Sequence, residues 1–287
     1  MKPESRTVPL IRIRPAGGLS FLNVQELWQY RELLYFLTWR DIKVRYKQTL
    51  LGAAWAVVQP VMMMVVFSLV FGRFAGLGDR IEGGIPYPVY TFAALLPWNL
   101  FATALTQSSN SLINNEHLIT KVYFPRVFIP LSSILAGLVD FAIAFTVLAL
   151  MMIGYALAGY DLTPGWGLLC LPLFVVLAIT AAFAVGLWLS ALNVQFRDVR
   201  YTLAFLAQFW LFATPVAYPL SIVPERWRMI YGLNPMVGVV EGFRWALFGQ
   251  EQGTHATVFV SVGIVAALLT GGLFYFQRME QTFSDVI

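Results

Sequence analysis

The chain has 287 residues, of which 59% are hydrophobic and only 12% charged, with a formal net charge of +4. A soluble domain carries about 25% charged residues, so half the usual charge is missing and the apolar surplus requires lipid to cover it. This excludes an aqueous enzyme, a secreted disulfide scaffold and a disordered chain; the lone Cys170 has no intrachain partner and reads as a small core hydrophobe.

Residues 1–23 read as a cytoplasmic N-terminal tail, and the first 50 residues hold no apolar run of signal-peptide type. Residues 24–50 mix charge with large apolar groups. Leu27, Tyr30, Leu34 and Leu37 recur at spacings of three and four, while Arg40, Lys43 and Lys47 form a basic stripe at the same spacing. This predicts an amphipathic helix along the cytoplasmic membrane surface, its Trp28, Tyr35 and Trp39 being of the types that prefer the headgroup level. Two readings stay open here: a plain anchor, or an anchor that also presents a surface to a cytoplasmic partner.

A spanning helix needs about 20 apolar residues. Suitable runs are 52–72, 88–108, 127–157, 162–192, 201–223 and 256–276, the third interrupted only by Asp140. The sequence thus predicts an all-α membrane protein with six transmembrane helices, within a membrane domain covering 51–278. The third and fourth runs are 31 residues each, so tilt or a break near Pro130 and Pro172 is expected.

Between the second and third runs, residues 109–125 form a polar cytoplasmic loop. Asn110 or Ser111 can cap a short helix running to about Thr120, with Pro125 stopping it. Such a helix suits either a docking element or a solvated connector. His117 has no companion His or Cys nearby and is a poor metal candidate.

After the fifth run, residues 224–231 are closed by Gly232, and Asn234 and Pro235 then offer the N-cap and first position of a helix ending before Gly249. That stretch, PMVGVVEGFRWALF, is 14 residues long, too short to span, and carries Glu241 and Arg244 three apart on one face. The expectation is an external re-entrant hairpin between the fifth and sixth spans, acting as packing or as a lid. Residues 279–287 read as a cytoplasmic C-terminal tail.

Orientation follows from the cations. With the N-terminus inside, nine Lys and Arg precede the first span, and Lys121, Arg126, Arg197, Arg200 and Arg278 bring the inner side to 14 of 19. Both termini are therefore expected in the cytoplasm. The positive charge serves topology, and nucleic-acid binding is not indicated.

The spans hold one clear ionisable group, Asp140, read as a protonated or hydrogen-bonded structural group rather than a transport-coupling carboxylate. The clustered acids or histidines of a membrane-embedded enzyme are missing, as is any GxxxxGK[ST] sequence, so energy for active transport has to come from another subunit. Trp55, Phe67, Phe209, Trp210 and Phe212 lie within spans, where aromatic faces could line a path for sugar rings or simply pack against lipid and neighbouring helices.

Four blocks carry a resemblance: RDIKVRYKQTLLGAAWAVVQP (40–60), LPWNLF (96–101), NVQFRDVRY (193–201) and GLNPMVGVVEGFRWALFG (232–249). Together they resemble the membrane subunit of type-2 ABC exporters of polysaccharides and polyol phosphates, from about residue 24 to the C-terminus. The resemblance implies a multi-pass subunit of the bacterial inner membrane, forming a homodimer with two separate ATP-binding cassette subunits. It implies no cofactor and no enzymatic activity in this chain, with ATP and Mg bound by the partner, and a lipid-linked glycan, O-antigen foremost, as cargo. By the same resemblance Arg40, Asp41, Lys43, Arg45 and Lys47 belong to an interface helix. Asn114, Asn115, Glu116, His117, Phe196, Arg197 and Asp198 face the ATPase, and Asn234, Pro235, Glu241, Arg244 and Trp245 belong to external gate helices. Two alternatives remain: a type-2 ABC exporter of a drug or lipid, and a non-transporting scaffold or enzyme of glycan assembly.

Overall fold

Apolar composition makes helices the natural solution in lipid, because a helix satisfies its own backbone hydrogen bonds. The computed structural model describes residues 28–47, 54–122, 124–162, 165–196, 198–249, 254–280 and 283, and its regular structure is helical. In chain order these are α1 (Arg31–Lys47), α2 (Ala54–Phe67, continued by a π-helical stretch Ser68–Phe74), α3 (Tyr87–Asn114) and α4 (Glu116–Lys121). Then follow α5 (Phe128–Leu157), α6 (Leu171–Gln195, preceded by a 3-10 turn Trp166–Cys170) and α7 (Asp198–Phe212). The chain closes with α8 (Glu225–Tyr231), α9 (Pro235–Phe248) and α10 (Thr254–Glu280). The two expected terminal tails lie largely outside the described residues, as does Arg197.

Five helices among the described residues are long and apolar enough to cross a membrane: Ala54–Phe74, Tyr87–Asn114, Phe128–Leu157, Trp166–Gln195 and Ala256–Glu280. This corrects the expectation of six. The run 201–223 is not one helix: α7 is 15 residues long, about 22 Å at 1.5 Å per residue, against a hydrocarbon core about 30 Å thick. It stops at Phe212, and the chain then turns through a stretch containing Pro215 and Pro219 to a 3-10 turn at Leu220–Ile222. An uncharged run passes a composition test without being helical, and proline ends it here. With five long helices, the even count that placed both termini on one side no longer holds, and the hairpin loses its expected position between a fifth and a sixth span.

The third run is a single 30-residue helix, with Pro130 tolerated in its first turn, where no intrahelical N–H is needed. The fourth divides near Pro172, where the 3-10 turn hands over to α6. The short loop helix also differs from expectation. α3 continues through Asn110 and Ser111, whose side chains bond back to Thr106 O at 2.8 Å and Ser108 O at 2.6 Å rather than capping a new helix. The separate α4 starts only after Asn115 and is 6 residues long.

α3 is the centre of the bundle, with Phe92, Leu95, Phe101 and Leu105 essentially inaccessible, and it packs against α5 and α6. α6 packs in turn on α10. One end of the bundle is closed by Leu112, Ile119, Phe124, Val127, Ala191 and Phe276, so α3, α6 and α10 finish, and α5 starts, at the same level. Leu33 of α1 packs against this cluster, and the Arg126 guanidinium donates to the Glu280 carbonyl there.

α9 is not a peripheral flap. Every residue from 235 to 247 is buried, packed by α3, α6 and α10. Close approach is possible because Gly238 and Gly242 present one bare face. A Cβ at Gly242 would meet the Phe174 ring at 2.1 Å, and one at Gly238 would meet Ser261 Oγ at 2.5 Å, the oxygen that accepts from the Gly238 N–H at 3.1 Å.

Candidate functional site

The helix α1 splits its charged residues between two directions. Asp41 accepts from Arg40 Nη2 at 2.8 Å and from Ser132 Oγ of α5 at 3.3 Å. Arg45 turns inward and donates to both the Asp140 carboxylate and Gln107 Oε1, while the Tyr46 hydroxyl donates to the other Asp140 oxygen. Burial and the bond to Asp140 push the Tyr46 phenol well above its ordinary range. Lys43 and Lys47 remain exposed, Lys43 lying over the Trp39 ring at 5.3 Å. Asp140, expected as a protonated or hydrogen-bonded structural group, has a specific cation 95 residues away, a pairing that no local spacing announces.

Next to this cluster is a cavity of about 230 Å³ between α1, α2, α3 and α5. Gln59, Asn99 and Thr103 line it together with Arg45, Tyr46 and Asp140, and Trp55 stands at its rim, 54% exposed.

The segment around α9 is locked by one buried ion pair. Arg244 donates to Glu241 Oε1 at 3.1 Å, to Pro215 O at 2.7 Å and to Val216 O at 2.8 Å, and its guanidinium lies 3.7 Å over the Tyr90 ring. The irregular turn that follows α7 is therefore held by the arginine of α9. Burial pushes the Glu241 carboxyl up from its ordinary value, and Arg244 opposes that shift. Asn234 caps α9 by accepting from Met236 N at 3.0 Å and accepts from Trp210 Nε1 at 2.9 Å. Its amide donates to Ala213 O at 3.1 Å and Thr214 Oγ1 at 3.0 Å. Pro235 and Trp245 are buried, the latter packed edge-on against Phe174 and Trp166.

At the end where α3 stops, Asn114, Glu116 and His117 are exposed and Asn115 is half-buried, its amide donating to Ser111 O at 2.8 Å. Phe196, just after α6, and Asp198, the first residue of α7, are exposed as well. Asn193 brings the two segments near each other by donating to Ser109 O at 3.0 Å and Asn110 Oδ1 at 3.1 Å. Sequence reasoning missed Asn193; its one visible signal was an amide in the last turn of an apolar run.

The aromatic residues of interest separate cleanly. Phe67 is buried against Phe71, and Trp210 packs edge-on against Phe101 at 5.1 Å, so neither faces an open path within one copy. Trp55, Phe209 and Phe212 are exposed, and α7 carries Tyr201, Phe205, Phe209 and Phe212 along one exposed face at spacings of three and four. Among the described residues, no group of three or more His, Cys, Asp and Glu comes together to hold a metal ion.

The profile of the family described as ABC-2 type transporter matches residues 32–248. The O-antigen export system permease protein RfbA of Myxococcus xanthus is 31% identical over 268 residues, covering 92% of this chain and 98% of that protein. RfbA of Klebsiella pneumoniae, also an O-antigen export system permease protein, is 28% identical over 258 residues, 89% of this chain and 95% of the relative. The polysialic acid transport protein KpsM of Escherichia coli is 26% identical over 245 residues, 84% and 91% of the two chains.

Proposed function

The chain belongs to the ABC-2 type transporter family, and from that premise we propose that it is the membrane subunit of an ATP-driven exporter of a lipid-linked polysaccharide, O-antigen foremost. The observation that carries this reading is the match to an O-antigen export permease across 98% of that protein's length. Two further relatives named for O-antigen or polysialic acid transport support the same cargo class.

In this reading the chain sits in the bacterial inner membrane as a homodimer with two ATP-binding cassette subunits, which bind ATP and Mg. It performs no bond chemistry itself. Asn114, Asn115, Glu116, His117, Phe196 and Asp198 form the surface toward the ATPase, being polar or exposed groups gathered where α3 and α6 end. α1 carries the ATPase's motion into the bundle, because Asp41, Arg45 and Tyr46 fasten it to α5. A rigid-body shift of this kind needs a stiff connection, and a charged hydrogen-bonded cluster supplies one. The exposed aromatic face of α7, with Trp55 of α2, lines a path between two copies along which sugar rings slide by stacking. Asn234, Pro235, Glu241, Arg244 and Trp245 form the rigid wall of a gate, against which the exposed α8 closes.

The test is reconstitution of this chain with its ATPase partner in vesicles loaded with candidate lipid-linked glycans. Glycan-stimulated ATP hydrolysis supports the reading; hydrolysis stimulated only by drugs or simple lipids counts against it.

A further inference from the structure

Gln59, Asn99 and Thr103 are amide and hydroxyl side chains in apolar helices, facing a common cavity, and none of them makes a side-chain hydrogen bond among the described residues. Gln59 is exposed and Asn99 and Thr103 are half-buried, so their polar ends open onto the cavity and are available to a ligand, and polar groups within membrane-spanning segments tend to mark function. Asn99 and Thr103 stand one turn apart on α3, Gln59 faces them from α2, and Asp140 with Tyr46 closes the far side. The exposed face of α7 takes no part in lining this cavity, which shares only Trp55 with the path between copies.

Its chemistry narrows the ligand. The charges of Arg45 and Asp140 neutralise each other, so an ionic ligand would find no free counter-charge. The remaining lining groups both donate and accept hydrogen bonds. Leu96, Leu100, Pro60 and Phe141 supply an apolar wall, and Trp55 stands at the mouth. Hydroxyls around an edge and apolar C–H faces describe a sugar ring or a similar polyol. The volume of about 230 Å³ holds roughly eight waters at ~30 Å³ each, which suits one ring rather than a polymer.

We propose that this cavity is a binding site for a single neutral polyol unit. The unit comes either from the glycan cargo or from the terminal polyol of a membrane lipid whose phosphate stays outside the cavity. The glycan source rests on the export reading above; the lipid source does not.

The test uses the full chain with its ATPase partner in nanodiscs of phosphatidylethanolamine, with and without phosphatidylglycerol. The sugar probes are glucose, galactose, mannose, rhamnose and N-acetylglucosamine, followed by saturation-transfer NMR. Retained phosphatidylglycerol is followed by native mass spectrometry. Gln59→Leu and Asn99→Leu keep volume and remove the hydrogen bonds, with Thr103→Val as the milder change should either fail to assemble. Sugar binding that weakens about tenfold in the variants assigns the site to glycan. Phosphatidylglycerol retained by the wild type and lost from the variants assigns it to lipid. Binding of neither probe, or binding of equal strength in wild type and variants, overturns the proposal. ATP-driven glycan export measured on the same preparation separates the two ideas: export without polyol binding sinks the cavity proposal alone, whereas polyol binding without export sinks the export reading alone.

Discussion

Arg45, near the end of α1, donates to the carboxylate of Asp140 within α5, and through this contact the first helix is fastened to a long apolar one. Both side chains are mostly shielded, 22% and 29% exposed, so the pair is worth more than a surface ion pair. Arg45→Ala strands a carboxylate at membrane depth and should cost about 1–3 kcal/mol. The thermal midpoint of the detergent-solubilised protein measures this. Arg45→Leu combined with Asp140→Leu should recover most of the loss, and a double variant as unstable as the two single variants summed would refute direct coupling.

Arg244 does more than neutralise Glu241, since it also holds Pro215 O and Val216 O. Arg244→Ala should therefore cost about 3–5 kcal/mol, the range for breaking a buried pair. Exchanging the two charges should not rescue it, because a carboxylate at 244 would face those carbonyls. Restored stability in the exchanged protein, read from the same thermal midpoints, would show that pairing alone matters.

The raised Glu241 carboxyl gives a pH dependence of known sign. A group whose pKa is higher in the folded state stabilises the fold below its unfolded value, near 4.5 here, and that contribution is lost as pH rises through the folded value. Wild type should accordingly gain stability relative to Glu241→Gln as pH falls from neutral toward that value. A constant gap between the two melting curves across this range would contradict the assignment.

Much of this was legible in the amino acids. The uncharged runs marked five long helices because lipid imposes a minimum apolar length, and Asn234, Pro235 and Gly249 marked the bounds of α9 because they are cap chemistry; Gly249 has φ +69°, as a left-handed cap requires. What failed was depth and pairing. Proline and threonine are uncharged, so the stretch around Pro215 passed for part of a span although the helix ends at Phe212. How deeply α9 is buried was not legible either, because a short apolar helix reads the same whether it meets lipid or protein. The partner of Asp140 lay beyond any local periodicity, although a lone carboxylate in an apolar run demands one.

The α4 surface should behave differently from its supports. Glu116 and His117 have side chains 50% and 86% exposed, so Glu116→Ala should change stability by less than about 0.5 kcal/mol yet lower glycan-stimulated ATP hydrolysis. Asn193→Ala, which removes the bonds to Ser109 and Asn110, should cost about 1–3 kcal/mol. Melting curves and ATPase rates measured together check both. Full coupling in Glu116→Ala would remove α4 from the interface.

Phe205 and Phe209 are 72% and 64% exposed on α7 and stack on each other at 6.5 Å. Replacing both with Ala should leave the fold of one copy intact while reducing transport or dimer yield, checked by cross-linking between copies and by export rate. Loss of folding instead would mean that the aromatic face supports its own chain.

The central claim is that this chain, joined to an ATPase, moves a lipid-linked glycan across a membrane. Vesicles containing both proteins and a labelled lipid-linked glycan test it most directly, with the label's accessibility on the far side followed over time. The account expects accessibility to rise only with ATP and with both proteins present. Glycan that stays on its original side while ATP is hydrolysed and a drug or simple lipid is carried would contradict it.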